Sequence, residues 1–306
     1  MKPYYDENRK FQTNQLKGLG ESPVPWVMPL LIILLLLFIY PLLEVVRLSF
    51  TDARIGQLTY KYTLNSFLEL MGDPGFSDMI RVTAIFVIFS VLFQFLFGFL
   101  IAYSVDQGEK LKLKGTVFIR TAALISMVIP GAIIGIIWRL MFDESPGGLL
   151  NYLLTKIGLG PVRFLSDPLI AIISATIANI WRGTAQSMIL LYAGLKTISG
   201  EMLEAAKVDG VGSLQKLTAM IIPSIMPVIL INLILNTIYT FNTFDMVMAL
   251  TGGGPGRSTE VLALSAYSQI FQLLNLGRGS AVAVLLLTIN SVMAAVYYYF
   301  LKKSEE

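Results

Sequence analysis

Residues 22–43 and 82–105 contain no charged side chain, and four further stretches of similar length are almost as apolar. These are 121–138, bounded by Arg120 and Arg139, then 168–195, interrupted once by Arg182, then 217–244 and 279–301. A helix that crosses a bilayer takes roughly 20 mainly apolar residues at about 1.5 Å rise each. Each stretch is apolar around its whole circumference, as a helix facing lipid and other helices must be. The runs are too long for buried strands and lack the period-2 alternation of an outer-membrane barrel. The expected fold class is therefore all-α and polytopic, with six transmembrane helices. Only 14% of the residues are charged, against about 25% in soluble domains.

The same composition removes most chemistry. The chain has no cysteine and no histidine, so disulfides, Cys or His metal sites, thiol nucleophiles and imidazole bases are absent. No catalytic residue, metal site or cofactor of its own is expected. A net charge of +3 is too small to suggest a nucleic-acid partner. A secondary transporter or an intramembrane enzyme stays open as an alternative. Proton-coupled transporters, however, usually carry Asp, Glu or His within the membrane, and the cores of the six stretches hold none.

Residues 1–21 are polar and include Lys2, Arg9, Lys10 and Lys17. No A-x-A-like cleavage site follows the first apolar run, which reads as a retained helix over 22–50 and not as a signal peptide. Residues 80–302 form a five-helix core. With both termini cytoplasmic, the inner segments hold Lys110, Lys112, Lys114, Lys196, Lys207, Lys216, Lys302 and Lys303 besides the N-terminal cluster. The outer loops then hold Arg54, Lys61, Lys156, Arg163, Arg257 and Arg278. Basic residues gather on the cytoplasmic side, so this orientation is the expected one.

The loop 196–218 is the most informative segment. Glu201 to Val208 has helical composition with Ser199-Gly200 at its start, and Asp209-Gly210 breaks it. A second short helix begins near Ser213 and runs into the fifth stretch, where Pro223 and Pro227 bend the chain. This describes a helix–turn–helix elbow, with small Ala205 and Ala206 for close approach and Glu204 and Asp209 for basic groups.

Glu204-Ala205-Ala206, three residues, Gly210, nine residues, then Met220-Ile221-Ile222-Pro223 resembles the E-A-A-x3-G-x9-I-x-L-P signature of ABC-importer permeases. Met220 and Ile222 are conservative departures from it. Ala193-Gly194-Leu195, Phe244-Asp245, the Thr251-Gly252-Gly253-Gly254-Pro255 run, Trp138, Gly148 to Asn151 and Asn179-Ile180-Trp181 resemble the carbohydrate-uptake branch. The resemblance implies a type I importer fold in a bacterial or archaeal cytoplasmic membrane. It makes Glu204, Ala205, Ala206, Asp209 and Gly210 the coupling elbow that docks on a separate ATPase, which binds ATP and Mg. It also implies a second permease subunit, expected to be non-identical, an ATPase dimer and an extracytoplasmic binding protein. The glycine run at 252–256 fails as a phosphate loop, because Arg257 stands where lysine belongs, the glycine spacing is one residue short and a strand should precede such a loop.

Substrate-lining positions carried over from that branch are Asn179, Arg182, Gly183 and Gln186 in the fourth stretch. In the fifth they are Asn236, Tyr239 and Thr240. Spacings of three and four place each set on one helix face. Amides, hydroxyls and a tyrosine ring suit a sugar. Arg182 near mid-span either meets cargo, which would then be acidic, or pairs structurally, with Asp245 as a candidate partner.

Overall fold

The computed structural model describes residues 24–145 and 147–305, and the polar segment 1–21 lies outside them. Helix α1 spans Val24–Ser49 with one π turn at Leu35–Ile39. A short α2 (Asn65–Met71) precedes the long α3 (Phe76–Lys110). Then come α4 (Thr116–Val128), α5 (Gly131–Met141), α6 (Leu149–Lys156) and α7 (Pro168–Lys196). The remainder is α8 (Gly200–Val208), α9 (Ser213–Ser224), α10 (Met226–Phe241), α11 (Asp245–Leu250), α12 (Leu262–Tyr267) and α13 (Leu276–Glu305). Apart from two isolated bridges, the described residues contain no β-structure.

The protein is a multi-pass, all-α membrane fold, and two of the six stretches expected to span prove to be bent helix pairs. Among the described residues three helices, α1, α3 and α13, are long and apolar enough to cross a membrane, or up to five where each of two bent pairs is counted as one span. The stretch 121–138 is one such pair: α4 and α5 meet at 105°. Pro130 lacks an N–H and disfavours helical backbone at the residue before it. Ile129 is accordingly extended, at φ −78° and ψ 127°, so the helix ends and restarts. The stretch 217–244 is the other, with α9 and α10 meeting at 71° at Ile225, between Pro223 and Pro227. Helix α7 has 29 residues, ample length, but its polar residues separate it from the purely apolar spans.

Helices α3 and α7 pack along their length. A Cβ on Gly98 would stand 2.3 Å from the Ser187 Cβ, so only glycine permits this approach. Between helices in lipid, close packing of this kind replaces the hydrophobic drive. One apolar cluster joins Phe86, Val87 and Val91 of α3 to Ala175 and Ala178 of α7, Ile134 of α5, and Met246, Val247 and Leu250 of α11. A second joins α3, α12 and α13 through Met79, Leu262, Ala266, Ala281 and Val282. The third lies at the opposite end and ties Ala102, Leu191 and Leu195 to Leu203 of the elbow and to Ile221, Ile225 and Ile229.

Candidate functional site

The fold leaves a polar cavity of about 360 Å³ where α3, α7 and α10 meet the α4–α5 break. Asn179, Arg182, Gly183, Gln186, Asn236, Tyr239 and Thr240 all line it. Gln94, Ser126, Asn242, Thr243 and Asp245 complete the polar wall, with Met127 and Ile129 as its apolar part.

Several of these side chains are held in place by neighbours. Gln94 Nε2 donates to the Asn179 carbonyl at 2.9 Å, and its amide sits against Gly183, where a Cβ would come within 2.3 Å of Gln94 Cδ. Asn236 Nδ2 donates to Ser187 Oγ at 2.6 Å, while Asn179 Nδ2 and Thr240 Oγ1 face each other at 3.5 Å. Asn179, Asn236 and Thr240 are thus almost wholly buried, whereas Tyr239 is 59% exposed. Arg182 Nη1 lies 3.4 Å from Asp245 Oδ1. The Asp245 carboxylate in turn rests on Gly131, the first residue of α5, where the positive end of a helix favours an anion. The formal charges of the cavity wall therefore cancel.

At the far end of α7, the elbow has the expected form. Helix α8 starts with Ser199 Oγ accepting from the Met202 N–H at 3.3 Å, a capping bond. It ends with Gly210 at φ +68° and a Val211 N–H to Ala206 carbonyl bond of 3.0 Å, the Schellman closure that glycine favours. Leu203 and Ala206 are buried and turned toward the protein, while Glu204, Asp209 and Gly210 are exposed. The outward surface is thus the one carrying Glu204, and Ala206 supports it from beneath. Ala205 lies within the same helix.

The sequence profile of the binding-protein-dependent transport system inner membrane component matches residues 94–305. The chain belongs to this family. It is 30% identical over 272 residues to the trehalose/maltose transport system permease protein of Thermococcus litoralis, covering 89% of this chain and 90% of that one. It is 28% identical over 287 residues to the sn-glycerol-3-phosphate transport system permease protein of Agrobacterium fabrum, covering 92% and 94%. Among solved structures, a bacterial ABC transporter involved in the import of the acidic polysaccharide alginate shares the fold. Its TM-score is 0.78 at 20% identity, covering 95% of this chain and 99% of that one.

As a member of this family, the chain is the membrane permease component of an ABC importer, with a separate ATPase and a separate substrate-binding protein. The family role is passage and not a reaction. Among the described residues no group of three or more His, Cys, Asp or Glu is placed to hold a metal ion.

Four polar cavity residues were not singled out in the sequence, Gln94, Ser126, Asn242 and Thr243, nor were the apolar Met127 and Ile129. Gln94 carried a usable signal, as the one amide in the charge-free run 82–105.

Proposed function

We propose that this permease conducts a carbohydrate through the α7–α10 cavity by alternating access, driven at the elbow by the partner ATPase. One observation carries the reading: apart from the Arg182–Asp245 pair, the polar side chains lining the cavity are amides, hydroxyls and a partly exposed tyrosine in an otherwise apolar bundle. A sugar presents hydroxyls to such donors and acceptors and an apolar ring face to an aromatic ring. The trehalose/maltose permease, to which the chain is similar, supports the substrate class by its name. Because the Arg182–Asp245 charges cancel, a neutral sugar fits better than the acidic cargo that Arg182 alone suggests.

In this reading the chain crosses the membrane six times. The crossings are α1, α3, the broken α4–α5 pair, α7, the α9–α10 pair and α13. The 29 residues of α7 extend about 43 Å at 1.5 Å per residue, enough to span, and its mid-helix polar side chains Asn179, Arg182 and Gln186 face the cavity. Both termini and the elbow face the cytoplasm of a bacterial or archaeal cell. Glu204, Ala205, Ala206, Asp209 and Gly210 form the docking element for an ATPase dimer that binds ATP and Mg. A second, non-identical permease subunit completes the pore, and an extracytoplasmic binding protein delivers the cargo.

The test is reconstitution of the whole transporter in proteoliposomes with sugar-loaded binding protein. Asn236→Ala and Gln186→Ala are expected to lower uptake of a neutral oligosaccharide while subunit assembly is kept. Undiminished uptake in both would remove the cavity from the translocation path.

A further inference from the structure

A cluster of ionised side chains at the end of the bundle nearest the elbow has no role in the transport reading so far. Its centre is Asp106, which is 1% exposed. Its two carboxylate oxygens point to different helices. Oδ2 meets Lys110 of its own helix α3 at 2.5 Å, and Oδ1 meets Lys196, the last residue of α7, at 2.9 Å. Glu109 repeats the arrangement one step further out. Its Oε2 accepts from Lys196 at 2.9 Å and from the Tyr192 hydroxyl at 2.6 Å, and its Oε1 lies 3.5 Å from Arg120 of α4. Arg120 also donates to the Tyr192 hydroxyl at 3.1 Å. Three helices are thereby tied at one level.

The position of that tie matters. Lys196 is followed by Thr197, Ile198 and Ser199, and then α8 begins at Gly200. Any displacement of the elbow enters α7 within one helical turn of the tie. From there to Gln186 at the cavity is ten residues, about 15 Å of helix. A helix whose last turn could splay from its neighbour would absorb the displacement as local bending or fraying. With Lys196 held by two carboxylates of α3, the ends of α3 and α7 move together. The same two helices meet again at the cavity through Gln94 and Asn179.

We propose that Asp106 is a positioning residue for energy coupling: it clasps α7 to α3 so that elbow motion reaches the cavity wall as a rigid-body movement. The proposal rests on the reading of α8 as the ATPase-docking element. Asp106 touches neither cargo nor ATPase and acts through Lys196.

The test measures ATP hydrolysis and uptake on the same proteoliposomes for Asp106→Asn, Asp106→Glu and, in parallel, Glu204→Lys. Asp106→Asn keeps assembly and binding-protein-stimulated hydrolysis within about twofold of the parent, while cargo moved per ATP falls about fivefold or more, the range of ordinary coupling free energies. Asp106→Glu, which restores the charge, recovers most of that ratio. Should Asp106→Asn fail to insert, Lys196→Gln removes the tie from its partly exposed side and is expected to lower the same ratio. An unchanged ratio in Asp106→Asn or, where that variant does not insert, in Lys196→Gln overturns the proposal. So does a loss of assembly in both variants, which would mark the cluster as structural alone. The Glu204→Lys arm reports on the underlying reading. Loss of ATPase docking there upholds it, and normal docking and hydrolysis would remove the elbow's role and the clasp's purpose together.

Discussion

The Arg182 guanidinium and the Asp245 carboxylate face each other at 3.4 Å across the cavity, joining the middle of α7 to the first residue of α11. Both side chains keep about a third of their surface, 33% and 35%. Such a pair lies between the surface case, worth about 0–1 kcal/mol, and the fully buried case, where removing one partner costs about 3–5 kcal/mol. Arg182→Gln and Asp245→Asn are each expected to destabilise the detergent-solubilised protein by about 1–3 kcal/mol. The double variant should cost less than the sum of the two. Thermal unfolding of all four proteins gives the coupling, and strict additivity would show that the pair contributes nothing.

Gly98 sets the separation of α3 and α7. A Cβ there would lie 2.3 Å from Ser187 Cβ and 2.9 Å from the Met188 backbone nitrogen, and backbone cannot swing aside. Gly98→Ala is expected to lose about 1–3 kcal/mol, the usual cost of overpacking. Because Ser187 Oγ is also the acceptor for Asn236, uptake should fall with stability. Gly160→Ala, in open space at ordinary φ, serves as the control and should leave both unchanged.

Much of this site is legible in the sequence through the resemblance to the carbohydrate-uptake permeases, which supplies its positions residue by residue. Spacings of three and four along α7 and α10 place Asn179, Arg182, Gly183, Gln186, Asn236, Tyr239 and Thr240 around one cavity. The elbow is legible for a local reason: a serine cap and an Asp-Gly break act within a few residues of themselves. Relationships between distant residues are not. Nothing local pairs Asp106 with Lys196, 90 positions away, or seats the Gln94 amide on Gly183. The bend at Pro130 is hidden by the apolar run around it, since hydropathy measures length and greasiness but carries no direction.

Gly210 closes the elbow at φ +68°, with nothing within 4 Å of where a Cβ would stand. Its substitution therefore acts through backbone conformation alone, and the left-handed region costs an ordinary residue about 1–2 kcal/mol. Gly210→Val is expected to unwind the end of α8 and abolish uptake while membrane insertion and cavity geometry stay intact. Gly210→Asn, which tolerates that region, should retain most activity. Equal behaviour of the two variants in the uptake assay would contradict the conformational argument.

Asp73 anchors the opposite end of the protein, in the loop between α2 and α3. The Gly75 N–H donates to its Oδ1 at 2.8 Å, Arg278 bonds its Oδ2, and Arg257 stands 3.4 Å away. The Gly75 bond, then the arginines, hold the Asp73 carboxyl below the ordinary carboxylate value of 3.8, against a desolvation cost that acts the other way. A folded-state pKa that is depressed means the unfolded chain takes up the proton more readily. The stabilisation is then complete above the ordinary value and fades as pH falls through the folded one. The melting temperature of the parent protein should accordingly drop in acid below about pH 4. Asp73→Asn should be less stable at neutral pH and should show a shallower acid decline than the parent. Melting curves of parent and variant from pH 7 to pH 3 decide it, and two parallel profiles would mean that Asp73 contributes no pH-dependent stability.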